Sequence, residues 1–379
     1  MTRALVVGSG VGGLTATVAL RLAGVEVDVF ERATGPPAIR VGGGLHVWAN
    51  GMRALQRVGL AERVEAVGER IKRLDWHSPR RGLLAHADLA STARRVGAPS
   101  IGVRRADLLG VLLDEVGPDT IRFGAEVTGF EQNADGVVAL FSDGGRERGD
   151  LLVAADGLRS TLRAQVVGPS ELLSPGVLIC QATVDRAARA APVFAETWDA
   201  DIRLGCYPVR DGLFWFAFVR SADVASLGPD LRAGLLARTV EWTAPGPELI
   251  ESTPATSVGA AEVVARQPLE RWSAGRVTLL GDAAHAMTPF GGQGACQALE
   301  DAVVVADCLR TERDVVSALR RYDARRVPRT TEIWRRSWAA ATSAARKSRS
   351  IDPGRRGNFA ATFERVVWKQ LEQTIAYEF

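Results

Sequence analysis

Apolar runs and helical repeats alternate at the start of the chain. Residues 4–7 (ALVV) form a continuous apolar run that ends at a glycine, which is typical of a buried parallel strand. Small and aliphatic residues recur at helical spacing over residues 12–23, and Gly24 ends this predicted helix. Residues 26–31 alternate and predict a second strand. Together these segments predict a β-α-β unit of about thirty residues.

Two later apolar runs each end at an aspartate beside a glycine. Residues 151–155 precede Asp156-Gly157, and residues 277–280 precede Gly281-Asp282. In an open α/β sheet, ligands bind at the edge formed by the carboxyl ends of the strands. Each aspartate can therefore serve a ligand or cap the helix that follows it, and the pattern alone leaves both interpretations open.

Periodicity and turn residues predict further elements between these motifs. After the glycines at 42–44, residues 45–48 predict a strand. Another helix is expected to begin with residues 104–109 (RRADLL). Residues 121–130 and 137–141 predict the two arms of a hairpin around an Asn-Ala-Asp-Gly turn.

The middle of the chain changes to strand-like segments. Those at residues 177–184, 203–209 and 213–219 predict a largely antiparallel sheet inserted between the α/β segments. In the third segment, phenylalanines 214, 216 and 218 share one face, and Trp215 lies on the other. The sequence leaves open which face belongs to the core and which lines an apolar pocket.

Helical spacing returns after Gly294. Apolar positions 296, 299, 303 and 306 repeat with carboxylates opposite, so the glycine loop at 291–294 leads into a helix N-terminus. Residues 310–356 are predicted to be helical and are rich in arginine. We expect their basic face to be solvated.

Composition narrows the class of protein without identifying it. The 379 residues suit two domains or one large domain with insertions, and a net charge of +3 favours neither a nucleic-acid nor a membrane partner. The four cysteines show no metal-ligand spacing, so we expect no metal site and free thiols in a reducing cytoplasm. We expect no signal peptide before the first strand, and no apolar run reaches the roughly 18 residues of a membrane span.

The glycines near the start predict a dinucleotide site. Residues 8–13 (GSGVGG) join the first strand to the first helix, where glycines allow a tight turn and close approach of backbone amides to a pyrophosphate. Glu31, at the end of the second strand, can accept hydrogen bonds from a ribose diol. This fingerprint alone also allows a nicotinamide-dependent dehydrogenase, which would leave the Asp282 motif unexplained.

Three spaced motifs together resemble those of the class A FAD-dependent monooxygenases, the p-hydroxybenzoate hydroxylase-like family. The pattern is most similar to the branch with salicylate hydroxylase, urate hydroxylase and zeaxanthin epoxidase. Residues 8–13 with Glu31 resemble the family's FAD fingerprint, residues 156–160 (DGLRS) its DG motif, and residues 281–294 (GDAAHAMTPFGGQG) its GD motif. Residues 48–51 (WANG) resemble the branch's WPNG stretch with the proline replaced.

The resemblance implies FAD as the bound cofactor and NAD(P)H as the reductant. It connects the DG motif with both FAD and NAD(P)H, and it places Asp282 on the ribityl chain. Arg105 resembles a flavin-contacting arginine, and Pro289 with the 291–294 loop is expected near the isoalloxazine. The implied cofactor-binding residues are Gly8, Gly10, Gly12, Gly13, Glu31, Arg32, Arg105, Val127, Asp156, Asp282, Pro289, Gly292, Gly294 and Ala295.

The implied activity inserts one oxygen atom from O₂ into an aromatic or other flat apolar small molecule through a flavin C4a-hydroperoxide. Hydroxylation is the expected outcome. Epoxidation of an alkene or polyene is an alternative, and a non-catalytic flavin-binding redox protein is an alternative of another class. The chemistry belongs to the cofactor, so no side chain is assigned as catalytic, and His285 is expected to be structural.

Substrate contacts are expected on and beside the inserted sheet. The candidate residues are His46, Tyr207, Phe214, Trp215 and Phe216. Arginines flank these strands at their ends, where we expect solvent to be their partner; they are Arg203, Arg210 and Arg220. A flat, mostly apolar substrate held by stacking and burial follows from this composition.

The expected fold is α/β (α+β overall). It consists of a Rossmann-like, GR2-type FAD-binding domain with an inserted, mostly antiparallel β-sheet substrate domain and C-terminal helices. The FAD-binding domain is expected over residues 1–75, 100–170 and 266–340, the substrate domain over 76–99 and 171–265, and a helical tail over 341–379. The protein is expected to act as a monomer or homodimer.

Overall fold

A mainly parallel sheet carries the glycine fingerprint. This computed structural model describes residues 2–40, 42–185, 193–199, 201–243, 246–346 and 367–379. Within those ranges the sheet has six strands, parallel except for its edge strand. In spatial order they are β18 (Ser273–Ala274), β19 (Val277–Leu279), β12 (Leu151–Ala154), β1 (Arg3–Val7), β2 (Glu26–Glu31) and β8 (Ile121–Phe123). The predicted strands at 4–7, 26–31, 151–155 and 277–280 are therefore confirmed.

The helices follow the apolar periodicity of the sequence. In the described residues they are α1 (Val11–Leu22), α2 (Pro36–Ile39), α3 (Ala49–Arg57), α4 (Ala61–Ala66), α5 (Leu89–Val96), α6 (Arg105–Val116), α7 (Thr161–Val167), α8 (Leu231–Thr239), α9 (Pro247–Ser252), α10 (Asp282–His285), α11 (Gly294–Thr311), α12 (Val315–Ala345) and α13 (Lys369–Ile375). Short 3-10 helices occur at Pro118–Thr120, Ser221–Leu227 and Ala255–Ser257. In this part of the chain, no helix combines the length and apolarity that a membrane span needs.

The predicted hairpin is correct at its turn but wrong in its first arm. A small antiparallel sheet has the order β11 (Arg146–Gly149), β10 (Val137–Phe141) and β9 (Val127–Gln132). The first arm splits because Gly124 has a φ of 71° and redirects the chain. The segment before Gly124 is β8, which pairs with β2 in the parallel sheet, and only the segment from Val127 enters the hairpin.

The inserted sheet is larger than the three predicted strands. Within the described residues it has seven strands, in the order β17 (Gly259–Glu262), β13 (Val177–Asp185), β16 (Gly212–Arg220), β15 (Ile202–Val209), β14 (Val193–Trp198), β5 (Arg73–Ser78) and β6 (Gly82–Asp88). All neighbouring pairs are antiparallel except β14 with β5. The antiparallel prediction is confirmed, whereas the sequence analysis missed β5, β6, β14 and β17.

A second small sheet joins the two larger sheets. Its order is β3 (Gly44–Val47), β7 (Ser100–Arg104) and β4 (Glu69–Ile71). Glycines make the junction close: a Cβ on Gly102 would lie 2.0 Å from the Pro208 carbonyl oxygen, and one on Gly44 would lie 2.5 Å from the Phe214 ring. Larger side chains at these positions would separate the inserted sheet from the nucleotide-binding part.

The two faces of β16 belong to different cores. Phe214, Phe216 and Phe218 belong to the main core, which also contains the parallel sheet and its helices. Trp215 belongs to a second core, in which Leu235 of α8 and Ile250 of α9 cover the far side of the inserted sheet. The face that the sequence left undecided is thus resolved: the phenylalanines face the nucleotide-binding part.

The basic tail does not present a simple solvated face. Helix α12 ends at Ala345, and the part of the predicted helix at 347–356 lies outside the described residues. Arg326 is only 1% exposed and forms salt bridges with Glu300 and Asp301 of α11. The expectation of a solvated basic face is therefore wrong for this arginine, because its charge is neutralised by buried carboxylates.

Trp215→Phe should lower the stability of the second core. The Trp215 indole is fully buried and donates to Thr253 Oγ1 at 2.9 Å. Phenylalanine removes this hydrogen bond and leaves a small void, so we expect the free energy of unfolding to fall by about 1–3 kcal/mol in urea titrations. Trp338→Phe, at a half-buried position, is the control. An equal or smaller loss for Trp215→Phe would contradict this assignment of the core.

Candidate functional site

The fingerprint glycines form a tight turn between β1 and α1. Gly8 has a φ of 103°, and its N–H donates to the Phe30 carbonyl at 2.8 Å. A Cβ on Gly13 would lie 1.9 Å from the Gly8 carbonyl oxygen, and a Cβ on Gly12 would lie 2.6 Å from Leu280. Gly10 differs, because nothing lies within 4 Å of its added Cβ. The turn is therefore packed on the protein side and open at Gly10.

Glu31 closes the adjacent side of this turn. One carboxylate oxygen accepts from the N–H and the hydroxyl of Ser9, each at 2.8 Å, and the other accepts from the Ala33 N–H at 2.8 Å. This places the carboxylate at the end of β2, beside the glycine turn, as its proposed role with a ribose requires. Arg32 is exposed at the same strand end.

Arg105 and Val127 lie at two other borders of this region. Arg105 begins α6 and donates to the Ile39 carbonyl at 3.0 Å; burial lowers the pKa of its guanidinium, against the attraction of the Asp282 charge. Val127 begins β9 and is buried. It lies two residues after Ala125, whose N–H donates to the Glu31 carbonyl at 2.9 Å. Both residues are thus held close to the fingerprint or to the GD motif.

The DG motif follows the central strand β12. Asp156 accepts a long hydrogen bond of 3.4 Å from the Leu162 N–H, and among the described residues its other carboxylate oxygen is buried without a partner. Burial raises the pKa of Asp156. Gly157 turns the chain with a φ of 80°, and Ser160 caps α7 by accepting from the Arg163 N–H. One oxygen of the Asp156 carboxylate is therefore left without a partner by the described residues.

Arg163 ties the DG motif to the GD motif, and the sequence analysis missed it. Its guanidinium is buried and donates to the carbonyls of Ala283 and Ala284 at 2.8 and 2.9 Å, and to Gln267 at 3.1 Å. Burial lowers the pKa of Arg163 to about 10. The partners lie far away in the sequence, so only a spacing of three residues after Ser160 could have drawn attention to it.

Asp282 stands at the end of β19, where the GD motif turns into α10. Gly281 makes this turn with a φ of 63°. The Asp282 side chain is exposed to solvent, although other parts of the protein lie close to its carboxylate. That surrounding protein desolvates the carboxylate and raises its pKa, while the charges of His285 and Arg105 act in the opposite direction. An accessible carboxylate thus lies on the same sheet edge as Asp156 and the glycine turn.

Asp301 supports the GD turn from the protein interior. One oxygen accepts from the Gly281 N–H at 3.1 Å and contacts His285 Nε2, and the other accepts from Arg326 Nε at 2.7 Å. Desolvation acts to raise the pKa of Asp301, but the charges of His285 and Arg326 outweigh it and keep the pKa low. His285 is buried in this network, which agrees with the structural role expected of it.

Glu300 extends the network to helix α3. It accepts from Asn50 Nδ2 at 2.7 Å, from Gln297 Nε2 at 3.1 Å and from Arg329 at 2.7 Å, and it pairs with Arg326. Desolvation acts to raise the pKa of Glu300, but Arg326 and Arg329 outweigh it and lower the pKa. Four elements, α3, α10, α11 and α12, are therefore connected through buried charges.

The loop after the GD motif is shaped by two glycines. Gly291 and Gly292 have φ values of 106° and 63°, and the Gly292 N–H donates to the Pro289 carbonyl at 3.0 Å. Trp48 Nε1 donates to the Gly291 carbonyl at 3.0 Å. Gln293 is buried, and its side-chain oxygen accepts from Asn50 and Gln297 at 3.0 Å each. These contacts fix the loop on the protein side and leave Pro289 exposed.

The N-terminus of α11 emerges from this loop at Gly294. Gly294 and Ala295 are half-buried, and the helix continues for 18 residues. The first backbone N–H groups of a helix have no partner within it and carry partial positive charge. The loop therefore presents a helix N-terminus beside the exposed Pro289.

Aromatic side chains face this region from the inserted sheet. The structure brings together four of the five predicted substrate residues, His46, Tyr207, Phe214 and Phe216, and adds Phe194 of β14. Ring centroids lie 5.8 Å apart for His46 and Tyr207, 5.2 Å for Tyr207 and Phe214, and 5.2 Å for His46 and Phe194. The sequence analysis missed Phe194 because β14 itself was not predicted.

Trp215 does not join this group. It lies on the opposite face of β16, packed in the second core against α8 and α9. Neighbouring residues on a strand point to opposite faces, so Phe214 and Trp215 cannot line one pocket. The structure therefore separates this predicted substrate residue from the other four.

Arg203 is the charged side chain at the edge of the aromatic face. Two side-chain contacts of 2.9 and 2.7 Å join it to Glu196, and its guanidinium lies 4.6 Å from the centroid of Trp198 and 5.3 Å from that of Phe290. Phe290 belongs to the GD motif and stacks on Phe218 with centroids 4.0 Å apart. This stack directly connects the GD loop with the inserted sheet.

The expectation that solvent is the partner of the flanking arginines is wrong for two of them. Arg203 pairs with Glu196, and Arg220 is buried between Asp201 and Asp223. Carboxylates on neighbouring segments, namely Glu196 of β14, Asp201 before β15 and Asp223 after β16, compete with water for these arginines. The third flanking arginine, Arg210, has 55% of its side chain exposed to solvent.

Comparisons with known proteins agree with this geometry. The sequence profile of a family described as "FAD binding domain" matches residues 1–203 and 230–337. The aurachin C monooxygenase/isomerase of Stigmatella aurantiaca is 40% identical over 331 residues, covering 87% of this chain and 86% of that protein. The FAD-dependent urate hydroxylase of Klebsiella pneumoniae is 35% identical over 339 residues, covering 87% of each.

A solved structure extends the similarity to the whole fold. The crystal structure of Klebsiella pneumoniae HpxO complexed with FAD and uric acid has a TM-score of 0.90 and 31% identity, and the match covers 99% of this chain and 97% of that one. The family profile and the relatives each span most of the chain, and the fold agrees with the resemblance seen in the motifs. The chain belongs to the FAD binding domain family and is an FAD-dependent monooxygenase.

Proposed function

We propose that the chain binds FAD along the carboxyl edge of the parallel sheet. One observation carries the proposal: β1, β12 and β19, which are neighbours in this sheet, end respectively at the open glycine turn, at Asp156 and at Asp282. The pyrophosphate would lie at Gly10, the adenosine ribose at Glu31 and the ribityl chain at Asp282. The remaining implied residues, Arg32, Arg105, Val127, Pro289, Gly292, Gly294 and Ala295, border this path.

Bound FAD would supply the redox chemistry, by accepting a hydride from NAD(P)H and activating O₂. The chain's own contribution is electrostatic and steric. The N-terminus of α11 at Gly294 would stabilise negative charge on the flavin pyrimidine edge. The packed aromatic face would exclude water from the reacting atoms.

The reductant would bind transiently. The family fingerprint occurs once, at residues 8–13, and FAD would occupy it. NAD(P)H therefore needs another surface, and Asp156, with its unpartnered carboxylate oxygen, is our candidate for a contact that serves both nucleotides. We also propose that the chain consists of a discontinuous FAD-binding domain and an inserted substrate domain.

The substrate would be a flat, mostly apolar small molecule, and the reaction would most simply be hydroxylation. The aromatic face of His46, Tyr207, Phe214 and Phe216 supports this class, because such rings bind planar molecules by stacking and burial. One relative is named as a hydroxylase of urate and another as a monooxygenase of aurachin C, so both names give a small molecule as the substrate. Epoxidation uses the same activated oxygen and stays an alternative. We also propose a cytoplasmic location and a monomer or homodimer, without nucleic acid.

Turnover tests the proposal directly. The purified protein should be yellow, with absorbance near about 450 nm from bound flavin. NADH and NADPH oxidation should be measured in air with uric acid, salicylate and 2-naphthol, with hydroxylated product identified by mass spectrometry. Flavin binding without stimulation by any flat ring compound would favour a non-catalytic flavin protein. Absence of flavin, even after titration, would overturn the assignment.

Two glycine substitutions should separate FAD binding from folding. Gly10→Ala adds a methyl group where the protein leaves open space, so the apoprotein should keep its melting temperature while the Kd for FAD rises about tenfold or more. Gly13→Ala places its Cβ against the Gly8 carbonyl, so the apoprotein itself should melt at a lower temperature. Flavin fluorescence and calorimetry provide the two measurements. Equal effects of the two variants on FAD affinity and stability would contradict the assigned turn geometry.

Phe216→Ala should uncouple the enzyme. Truncation opens the aromatic face to water, so the ratio of hydrogen peroxide released to NAD(P)H consumed should rise about threefold or more, with a higher KM for the stimulating ring compound. Trp215→Phe is the matched control on the opposite face and should leave both quantities unchanged. If the two variants behave alike, the pocket does not lie on the phenylalanine face of β16.

A further inference from the structure

His46 carries buried polar atoms that the fold does not use. The residue is 6% exposed on β3, and both ring nitrogens are buried without a hydrogen-bond partner among the described residues. Unpaired buried nitrogens are unfavourable, since each has lost its hydration without replacement. An apolar ring at this position would carry no such cost. The imidazole therefore requires an explanation other than packing.

The position of His46 connects the aromatic face with the cofactor loop. Its ring packs on Trp48 with centroids 3.9 Å apart, and the Trp48 indole donates to the Gly291 carbonyl. On its other sides it meets the rings of Phe194 and Tyr207, 5.2 and 5.8 Å away. A planar molecule between the inserted sheet and the 291–294 loop would lie beside this imidazole.

The surroundings favour an uncharged partner for His46. Desolvation by burial lowers its pKa to about 3, and the rings that contact it are those of Trp48, Phe194 and Tyr207. The ring is therefore neutral at physiological pH, with one nitrogen that donates and one that accepts. Arg203, the cation at the edge of the aromatic face, is already neutralised by Glu196. An anionic group next to His46 would lie among apolar rings with no compensating charge.

We propose that His46 determines specificity by forming a hydrogen bond with an uncharged hydroxyl or ring N–H group of the flat substrate. This inference rests on the proposed function and names the polar contact of that same site. The nitrogens are enclosed in the present side-chain arrangement, so the bond forms when the imidazole or a neighbouring ring turns to admit the ligand. The contact orients the ring relative to the 291–294 loop and thereby selects which ring atom is presented for oxidation.

A matched pair of ligands isolates this hydrogen bond. 2-Naphthol and naphthalene share the same rings, and only 2-naphthol has a hydroxyl group. Their Kd values are measured by flavin absorbance changes in the FAD-loaded protein, without turnover. The wild type should bind 2-naphthol more tightly than naphthalene. His46→Phe should weaken 2-naphthol binding about three- to tenfold, because one hydrogen bond is lost, and leave naphthalene binding unchanged.

Stability and two further variants distinguish binding from packing. His46→Phe should melt at the same or a higher temperature, because unpaired nitrogens are removed. Stability and 2-naphthol affinity would then change in opposite directions, which a purely structural role does not produce. His46→Gln retains a donor and an acceptor and should keep part of the preference for 2-naphthol. His77→Phe, at a half-buried histidine on β5, is the control and should change neither Kd.

Three results would overturn the proposal. They are a wild type that binds naphthalene as well as 2-naphthol, a wild type that binds neither, and a His46→Phe variant with unchanged preference. Flavin content and NAD(P)H oxidation are recorded on the same preparations. Loss of flavin or of oxidation with every ring compound contradicts the proposed function, whereas normal flavin and turnover with unchanged ligand preference contradict only the role of His46.

Discussion

The structure depends on a buried cluster of charges behind the GD motif. Arg326 of α12 contacts Glu300 and Asp301 of α11, and all three side chains are at most 1% exposed. Removing these ions from water is costly, and the cost is offset only when every charge has close, well-directed partners. Here Asp301 accepts a hydrogen bond from the Gly281 N–H and contacts His285, and Glu300 accepts one from Asn50 of α3. The cluster therefore determines the shape of the turn that presents Asp282.

A second constraint keeps the inserted sheet close to this turn. Glycines at 44 and 102 let β3 and β7 approach Phe214 and Pro208, and the Phe218–Phe290 stack joins β16 to the GD loop. Because both contacts depend on close packing, the aromatic face has a defined position relative to the 291–294 loop. Oxygen transfer requires such a position, since a ring held loosely would expose the reacting atoms to water.

The local parts of this arrangement could be predicted from the sequence. The β-α-β unit, the turn at residues 133–136 and the strands before Asp156 and Asp282 follow from periodicity and glycine placement within short segments. The resemblance to a known family then indicated FAD and the class of reaction. These features depend on neighbours in the sequence, which is why they could be recognised without coordinates.

The remaining features depend on contacts between distant segments. Arg326 belongs to an arginine-rich stretch whose basic face we expected to be solvated, and nothing near Arg163 in the sequence singled it out. Their buried partners lie 25 and 120 residues away, respectively. The core to which each face of β16 belongs follows from what packs on each side, so Phe216 and Trp215 could not be distinguished from the sequence. The predicted first hairpin arm is divided at Gly124, because its first segment, β8, pairs in parallel with β2. Periodicity contains none of this information.

The most direct test of the account measures FAD affinity after the buried cluster is weakened. Asp301→Asn removes a charge that holds Arg326 and the GD turn, and Asp307→Asn changes a partly exposed aspartate of the same helix that pairs with Arg325. Fluorescence titration of apoproteins, at a temperature where circular dichroism shows both variants folded, should give a Kd for FAD raised about tenfold or more for Asp301→Asn. Asp307→Asn should keep the wild-type Kd. An unchanged Kd for folded Asp301→Asn would contradict the claim that this cluster shapes the cofactor site.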